Sequence, residues 1–290
     1  MADPLPICYL NGDYVPLRDA RISPLDRGFL FADSVYEVLP VFDGRPYRFA
    51  QHFRRLDRSL GEIRMTPPHP HEKWLHILTE LMRLNGARSA YVYVQVTRGV
   101  EFGRNHTFPT NTKPTIFAMV APLPELTPAI RKHGLSAITV EDFRWGRCDI
   151  KTTALLANVL MKQAAADSNA QEAIIVRDGE VLEGSSSSVF LALDGTIVTP
   201  PNSRRVLPGT TRDAVLELAD GQIPTAIRSI DVDELARAQE IWIAAATRDV
   251  VPITRLNDRP VADGVPGPLW QRMGELFASE RRRLAVTAAL

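Results

Sequence analysis

The chain has 290 residues, 45% hydrophobic and 23% charged, with Lys plus Arg and Asp plus Glu both at 34 and a formal net charge of zero. That length suits two domains with sizeable cores, and the balanced charge offers no whole-chain attraction to nucleic acid. Cys8 and Cys148 are too few for a disulfide framework or a zinc site. No secretory signal and no apolar run near the roughly 18 residues of a membrane span is visible, so the chain reads as cytoplasmic, without membrane or nucleic-acid partners.

In chain order, ICYLNGDYVPL predicts a hairpin around Asn11-Gly12, and SVYEVLPVFDGRPYRF a second around Asp43-Gly44. Phe53, Leu56 and Leu60 fall at helical spacing, predicting a helix from about residue 50 to 61. HEKWLHILTELMRLNG predicts another, closed by Asn85-Gly86. SAYVYVQVTRG and KPTIFAMVAPLP are strand-like and flank the polar loop VEFGRNHTFPTNT, whose length of about 13 residues is where structureless loops tend to be functional. The proline-containing segment APLPELTPAIRKHG reads as a connection, which divides the chain into an N-terminal α/β domain (1–120), a linker (121–134) and a C-terminal domain (135–290).

Beyond it, LSAITVEDFRW predicts a strand and TTALLANVLMKQAAADSN a helix of high propensity. EAIIVRDGEVLEGSSSSVFLALDGTIVTP predicts a meander with turns at Asp178-Gly179 and Asp194-Gly195. LPGTTRDAVLELAD predicts a turn into a helix, EIWIAAATRDVVPITRL two strands, and PLWQRMGELFASERRRLA a closing helix. The fold class is therefore mixed α+β, in two domains with mostly antiparallel sheets and flanking helices.

Four features carry chemistry, and each has a plain reading beside the functional one. Lys151, amid Ile150, Leu155 and Leu156, is either a surface lysine near a helix start or a partly desolvated nucleophilic amine. Leu207-Pro208-Gly209-Thr210-Thr211-Arg212 is either a simple threonine cap or an anion site, with Gly209 admitting a phosphate to a helix N-terminus. Glu183-Gly184-Ser185-Ser186-Ser187-Ser188 is either a solvated strand end or a polar lining beside a ligand, because unpaired hydroxyls in a dry core are costly. Arg104 and His106, two apart in the long loop, are either solvated or, with Tyr36, a clamp for a carboxylate. His69 and His71 in PHPH read as a surface turn, so no metal site is expected, and Arg281 to Arg283 read as a solvated face.

Taken together, DRGFLFADSVYEV, YVQVTRG, EDFRWGRCDIKTTALLANVLMKQ, EGSSSSVF and LPGTTRD resemble, in order and spacing, the fold-type IV pyridoxal-phosphate enzymes, and within them the D-amino acid (D-alanine) aminotransferases. The likeness runs from about Tyr9 to Phe277. It implies pyridoxal 5'-phosphate as cofactor, carried by Lys151, with Glu183 on the pyridine nitrogen and Leu207 against the ring. Arg55, Thr211, the Thr210 amide and Thr247 would hold the phosphate, at the turn formed by Gly209, and Ser185, Ser186 and Ser187 would support the site. It further implies that Arg104 and His106, with Tyr36, bind the substrate carboxylate, from a loop that reaches the active site of the partner in a homodimer. The implied reaction moves an amino group from D-alanine or another D-amino acid to a 2-oxo acid such as 2-oxoglutarate. Branched-chain L-aminotransferases and aminodeoxychorismate lyases share the scaffold and are the alternatives. Alanines at Ala245 and Ala246 depart from the family's hydroxyl residues and bear on cofactor affinity.

Overall fold

The computed structural model describes residues 3–286. They divide into two compact units, one of residues 3–124 with 150–155 and one of residues 125–149 with 156–286. The sequence suggests a single boundary, whereas the units interleave, and the short segment carrying Lys151 groups with the first.

In the first unit the chain runs β1 (Ile7–Leu10), β2 (Asp13–Pro16), α1 (Arg27–Phe31), β3 (Ser34–Phe42), β4 (Arg45–Pro46), α2 (Phe49–Glu62), α3 (His71–Leu84), β5 (Ala90–Thr97) and β6 (Thr115–Ala121). The strands form one antiparallel sheet in the order β2-β1-β6-β5-β3-β4. Both predicted hairpin turns have left-handed dipeptides, Asn11-Gly12 at φ 53° and 119° and Asp43-Gly44 at 49° and 78°. Such turns match the twist of the flanking strands. The expected helices lie where the spacing put them, and α2 and α3 bury Phe53, Leu56, Leu60, Trp74, Ile77 and Leu81 with β3 and β5 residues such as Leu39 and Val94. Alternation along β5 (Val92, Val94 and Val96 buried; Tyr91, Tyr93 and Gln95 partly exposed) gives the sheet one dry face and one wetter face.

The second unit comprises α4 (Pro128–His133), β7 (Leu135–Glu141), α5 (Leu156–Asp167), β8 (Glu172–Arg177), β9 (Glu180–Gly184), β10 (Ser188–Leu193), β11 (Thr196–Thr199), α6 (Thr210–Ala219), β12 (Thr225–Ile227), β13 (Ile230–Asp231), β14 (Glu240–Ala245), β15 (Asp249–Leu256), β16 (Arg259–Pro260) and α7 (Pro268–Val286). Its sheet is ordered β12-β11-β10-β14-β15-β7-β8-β9-β13, with β16 on β15. Most pairings are antiparallel; β11·β12, β15·β7 and β7·β8 are parallel. One face packs Ile174, Val189, Ile241 and Ile253 together, and the other packs Phe190 and Trp242 against α6 and α7.

Two local readings need correction. The segment read as a bare connection contains α4, opened by Thr127, whose hydroxyl accepts from the Ile130 amide, and by Pro128 at the first turn. The helix expected from Thr152 starts at Leu156. The preceding threonines are committed elsewhere, since Thr152 pairs with Val35 and donates its hydroxyl to the Ser34 carbonyl at 2.9 Å, while Thr153 shares a hydroxyl hydrogen bond with Ser34. The basic run at 281–283 lies on a largely exposed face, as expected, with Arg281 paired to Asp249 at 2.5 Å and Arg283 to Glu280 at 2.9 Å.

Candidate active site

Lys151 is positioned by β3. The Tyr36 amide donates to the Lys151 carbonyl at 2.9 Å, the Lys151 amide donates to the Ser59 hydroxyl at 3.3 Å, and Ile150 is anchored in the first core. The Lys151 ammonium lies 4.2 Å from the centroid of the Tyr36 ring and makes no hydrogen bond among the described residues. Tyr36 in turn stacks on Tyr93 at 5.6 Å. Two residues proposed from sequence for different tasks are thus brought together, and the amine is unencumbered.

Beside them is a buried cluster that sequence reasoning missed apart from Arg55. Arg55 donates through Nε and Nη2 to Glu37 at 2.7 and 2.9 Å, and His52 Nδ1 lies 2.7 Å from the same carboxylate. All three are buried, Glu37 completely. Burial alone would raise the Glu37 carboxyl, but Arg55 and His52 hold it well below the usual carboxylate range. Burial pushes His52 down, opposed by Glu37 and assisted by the positive charges of Arg55 and Lys151. The available signal was spacing: Glu37 projects from a strand, and His52 and Arg55 stand three apart on one face of α2.

Arg104 and His106 converge on Phe31. The Arg104 guanidinium carbon is 5.2 Å from the ring centroid, and the imidazole meets the ring edge-on at 5.2 Å. Neither side chain makes a hydrogen bond or ion pair among the described residues, and both are exposed. No hydrogen bond or ring contact among the described residues links them to Lys151 or Tyr36 of the same chain. The loop's base is pinched at Gly99 (φ 96°), where a Cβ would fall 1.9 Å from the Lys113 carbonyl oxygen, so only glycine fits.

The second unit holds the other group. Glu183, on β9, accepts from Arg144 Nη1 at 2.5 Å and from the Leu207 amide at 3.1 Å. Arg144 is itself gripped by Asp142 at 3.0 and 3.1 Å, and Asp142 also pairs with Arg177 at 2.9 Å. Burial opposes the Arg144 charge, but Asp142 and Glu183 outweigh it and raise its pKa. Arg144 and Asp142 lie in the quoted motif yet drew no attention, because a mid-loop D-x-R has no periodicity to mark it.

The serine run divides. The Ser185 and Ser187 hydroxyls donate to buried Glu172 at 2.5 and 3.2 Å, while Ser186 is exposed. Gly209 precedes α6 with no side-chain cap on the helix, and Thr210 and Thr211 are buried in its first turn. A Cβ at Gly209 would come within 2.5 Å of the Ser188 hydroxyl. A helix start without a side-chain cap, preceded by a glycine, suits a phosphate, because the helix dipole and the first-turn N–H groups face an anion there. Thr247, partly exposed, occupies the turn between β14 and β15 beside Ala246. Taken unit by unit, the groups suit pyridoxal phosphate: in the first, a lysine amine that makes no hydrogen bond among the described residues; in the second, a carboxylate held by arginine and a helix start without a side-chain cap. His71 pairs with Asp57 at 2.8 Å, and no group of metal-ligating side chains occurs among the described residues.

The family model described as Amino-transferase class IV matches residues 34–256. The chain is 36% identical over 275 residues to a D-alanine aminotransferase of Staphylococcus haemolyticus, covering 93% of this chain and 95% of that one. It is 36% identical over 266 residues to a D-alanine aminotransferase of Bacillus licheniformis, covering 91% and 93%. Among solved structures, a branched-chain amino acid aminotransferase from T.th. with pyridoxamine 5'-phosphate superposes with a TM-score of 0.88 at 25% identity, covering 96% of this chain and 94% of that one.

Proposed function

Because the chain belongs to the class IV aminotransferases, we propose that it transfers the amino group of D-alanine, or another D-amino acid, to a 2-oxo acid such as 2-oxoglutarate. The observation that carries this reading is the pair Arg104 and His106, exposed and without hydrogen-bond partners among the described residues, in a chain 36% identical to D-alanine aminotransferases. A guanidinium and an imidazole on one loop suit a carboxylate.

Pyridoxal 5'-phosphate is the cofactor, and when bound it supplies an electron sink that makes the substrate's α-proton acidic. The residues of the chain then divide the work. Lys151 would hold the cofactor, and its Nζ would take the proton from the substrate α-carbon as general base and give it back as general acid from the same face. Glu183, oriented by Arg144, holds the proton on the pyridine nitrogen. Leu207 would pack on the ring. Thr211, the Thr210 amide, Gly209, Thr247 and Arg55 bind the phosphate, with Arg55 held in place by Glu37. Ser186, the exposed member of the run, would support the cofactor, and Ser185 and Ser187 act through Glu172 to shape the hairpin. Tyr36 lies beside the Lys151 amine and completes the substrate side. The two half-reactions follow ping-pong order.

A homodimer belongs to the same reading, with the Arg104–His106 loop of one protomer serving the partner's site. Exposed apolar residues support it: Phe102 is 92% and Phe29 75% exposed in the first unit, and Leu156, Val159 and Leu160 form an i, i+3, i+4 stripe. No helix among the described residues is long and apolar enough to cross a membrane, and both cysteines are free; a cytoplasmic site is proposed on that basis. Light scattering should return twice the chain mass, and a monomer active on D-alanine would remove the dimer claim.

The deciding experiment mixes cofactor-loaded protein separately with D-alanine and with L-leucine and follows the cofactor's absorbance. Conversion by D-alanine alone supports the reading. Conversion by L-leucine alone assigns the chain to the branched-chain group, the activity named for its structural neighbour. Conversion by neither, with pyruvate released from aminodeoxychorismate, would assign it to the lyases.

A further inference from the structure

The loop bearing Arg104 and His106 is exposed and irregular, yet its backbone is held from beneath by a buried ionic network. Arg27, 3% exposed, donates through Nε to Asp33 at 2.9 Å and through Nη1 to Glu101 at 2.7 Å. The same guanidinium donates to the Asn105 carbonyl at 2.6 Å and to the His106 carbonyl at 3.4 Å. Asp33 also accepts from Arg98 at 2.7 and 3.0 Å, and Arg98 donates to the Ile63 carbonyl at 2.7 Å. The Arg98 guanidinium further stacks 3.8 Å from the centroid of Phe108, at the loop's far side. Arg27 lies 4.9 Å from the centroid of Phe31, the ring that Arg104 and His106 also approach.

We infer that this network, with Arg27 at its centre, is the positioning device for the substrate carboxylate. The inference rests on the carboxylate role proposed for Arg104 and His106. Its physical basis is twofold. Arg27 binds the carbonyls at 105 and 106, between and at the two ligating positions, so the peptide carrying both side chains loses the freedom that an exposed loop otherwise has. Preorganising a binding loop removes the ordering cost from each binding event. The charges also cancel: Arg27 and Arg98 face Asp33 and Glu101, so the network is neutral and the Arg104 charge remains uncompensated for an incoming anion. A loop held only by its own turns would have to order itself around each substrate.

The experiment is a double-mutant cycle in the cofactor-loaded enzyme, using Arg27→Lys, Arg104→Ala and the pair, with KM and kcat for D-alanine measured separately. Arg27→Lys keeps the charge but cannot reach two carboxylates and two carbonyls at once. It should raise the KM for D-alanine about tenfold with kcat within about twofold, and in the Arg104→Ala background it should add little. A residue that merely stabilises the fold would lower the apparent kcat through a smaller active fraction, leave KM unchanged and multiply with Arg104→Ala; that result overturns the inference. So does an unchanged KM in Arg27→Lys when Arg104→Ala raises it, and the D-amino acid reading then stands. If Arg104→Ala leaves D-alanine turnover unchanged, the carboxylate role fails and the inference falls with it. Should Arg27→Lys not fold, Glu101→Gln removes one edge of the network at a 21% exposed side chain and is expected to show the same KM-selective, Arg104-dependent effect at about threefold.

Discussion

The loop from Gly99 to Lys113 and the serine hairpin from Gly184 to Ser188 are both polar segments that chemistry marks as ligand-facing, and they resolve in opposite ways. In the loop, the two candidate ligand-binding side chains are left without hydrogen bonds and the backbone between them is bound: Arg104 and His106 make no hydrogen bond through their side chains among the described residues, while Arg27 holds the carbonyls of Asn105 and His106. In the hairpin, the side chains are consumed internally: Glu172 takes the hydroxyls of Ser185 and Ser187, leaving Ser186 exposed. Polar residues in a motif are therefore of two kinds, those kept for a ligand and those that hold the others. Only the count of satisfied donors separates them.

Lys151 offers the strongest test of the site. Lys151→Ala should lower turnover by about 10² to 10⁴ or more and abolish the visible absorbance of lysine-held cofactor, because both the anchor and the base are lost. Full activity would remove the central role. Arg104→Ala addresses the loop directly. A charge-assisted hydrogen bond is worth about 1.5–3 kcal/mol, so kcat/KM for D-alanine should fall by about ten- to somewhat over a hundredfold.

The hairpin should respond differently. Ser185→Ala leaves Glu172 short of a donor and should cost about 1–3 kcal/mol of stability in urea titration. Cofactor affinity should hardly change in that variant, whereas Ser186→Ala should weaken it severalfold. The reverse pattern would mean that Ser185 faces the cofactor. The smallest expected effect is the acid side of the stability curve. His52 has its pKa pushed below the ordinary 6.5 by burial, so below that pH the unfolded chain binds a proton that the native state refuses. Stability should then fall as pH drops through the window beneath 6.5, with a slope of at most about 1.4 kcal/mol per unit for one proton. Glu37, held low by Arg55 and His52, adds its own loss only further down, below the ordinary 4.5. In His52→Asn the slope just beneath 6.5 should disappear; its persistence there would assign it to another group.

Local chemistry was readable directly. Asn-Gly and Asp-Gly dipeptides marked hairpins because such residues readily accept paired left-handed dihedrals, as at Asp178-Gly179 with φ 54° and 78°. Helical spacing located α2 and α3, and the linear motifs were enough to reveal the family. What lay beyond reach was long-range. Thr152 and Thr153 have good helical neighbours, yet Val35 and Ser34, 117 to 119 positions away, hold them out of the helix. Glu37, Asp142, Arg144 and Glu172 look like ordinary charged residues in the chain. Each became a site-shaping group only when folding buried it, since a carboxylate or guanidinium removed from water must find its partner wherever the topology provides one.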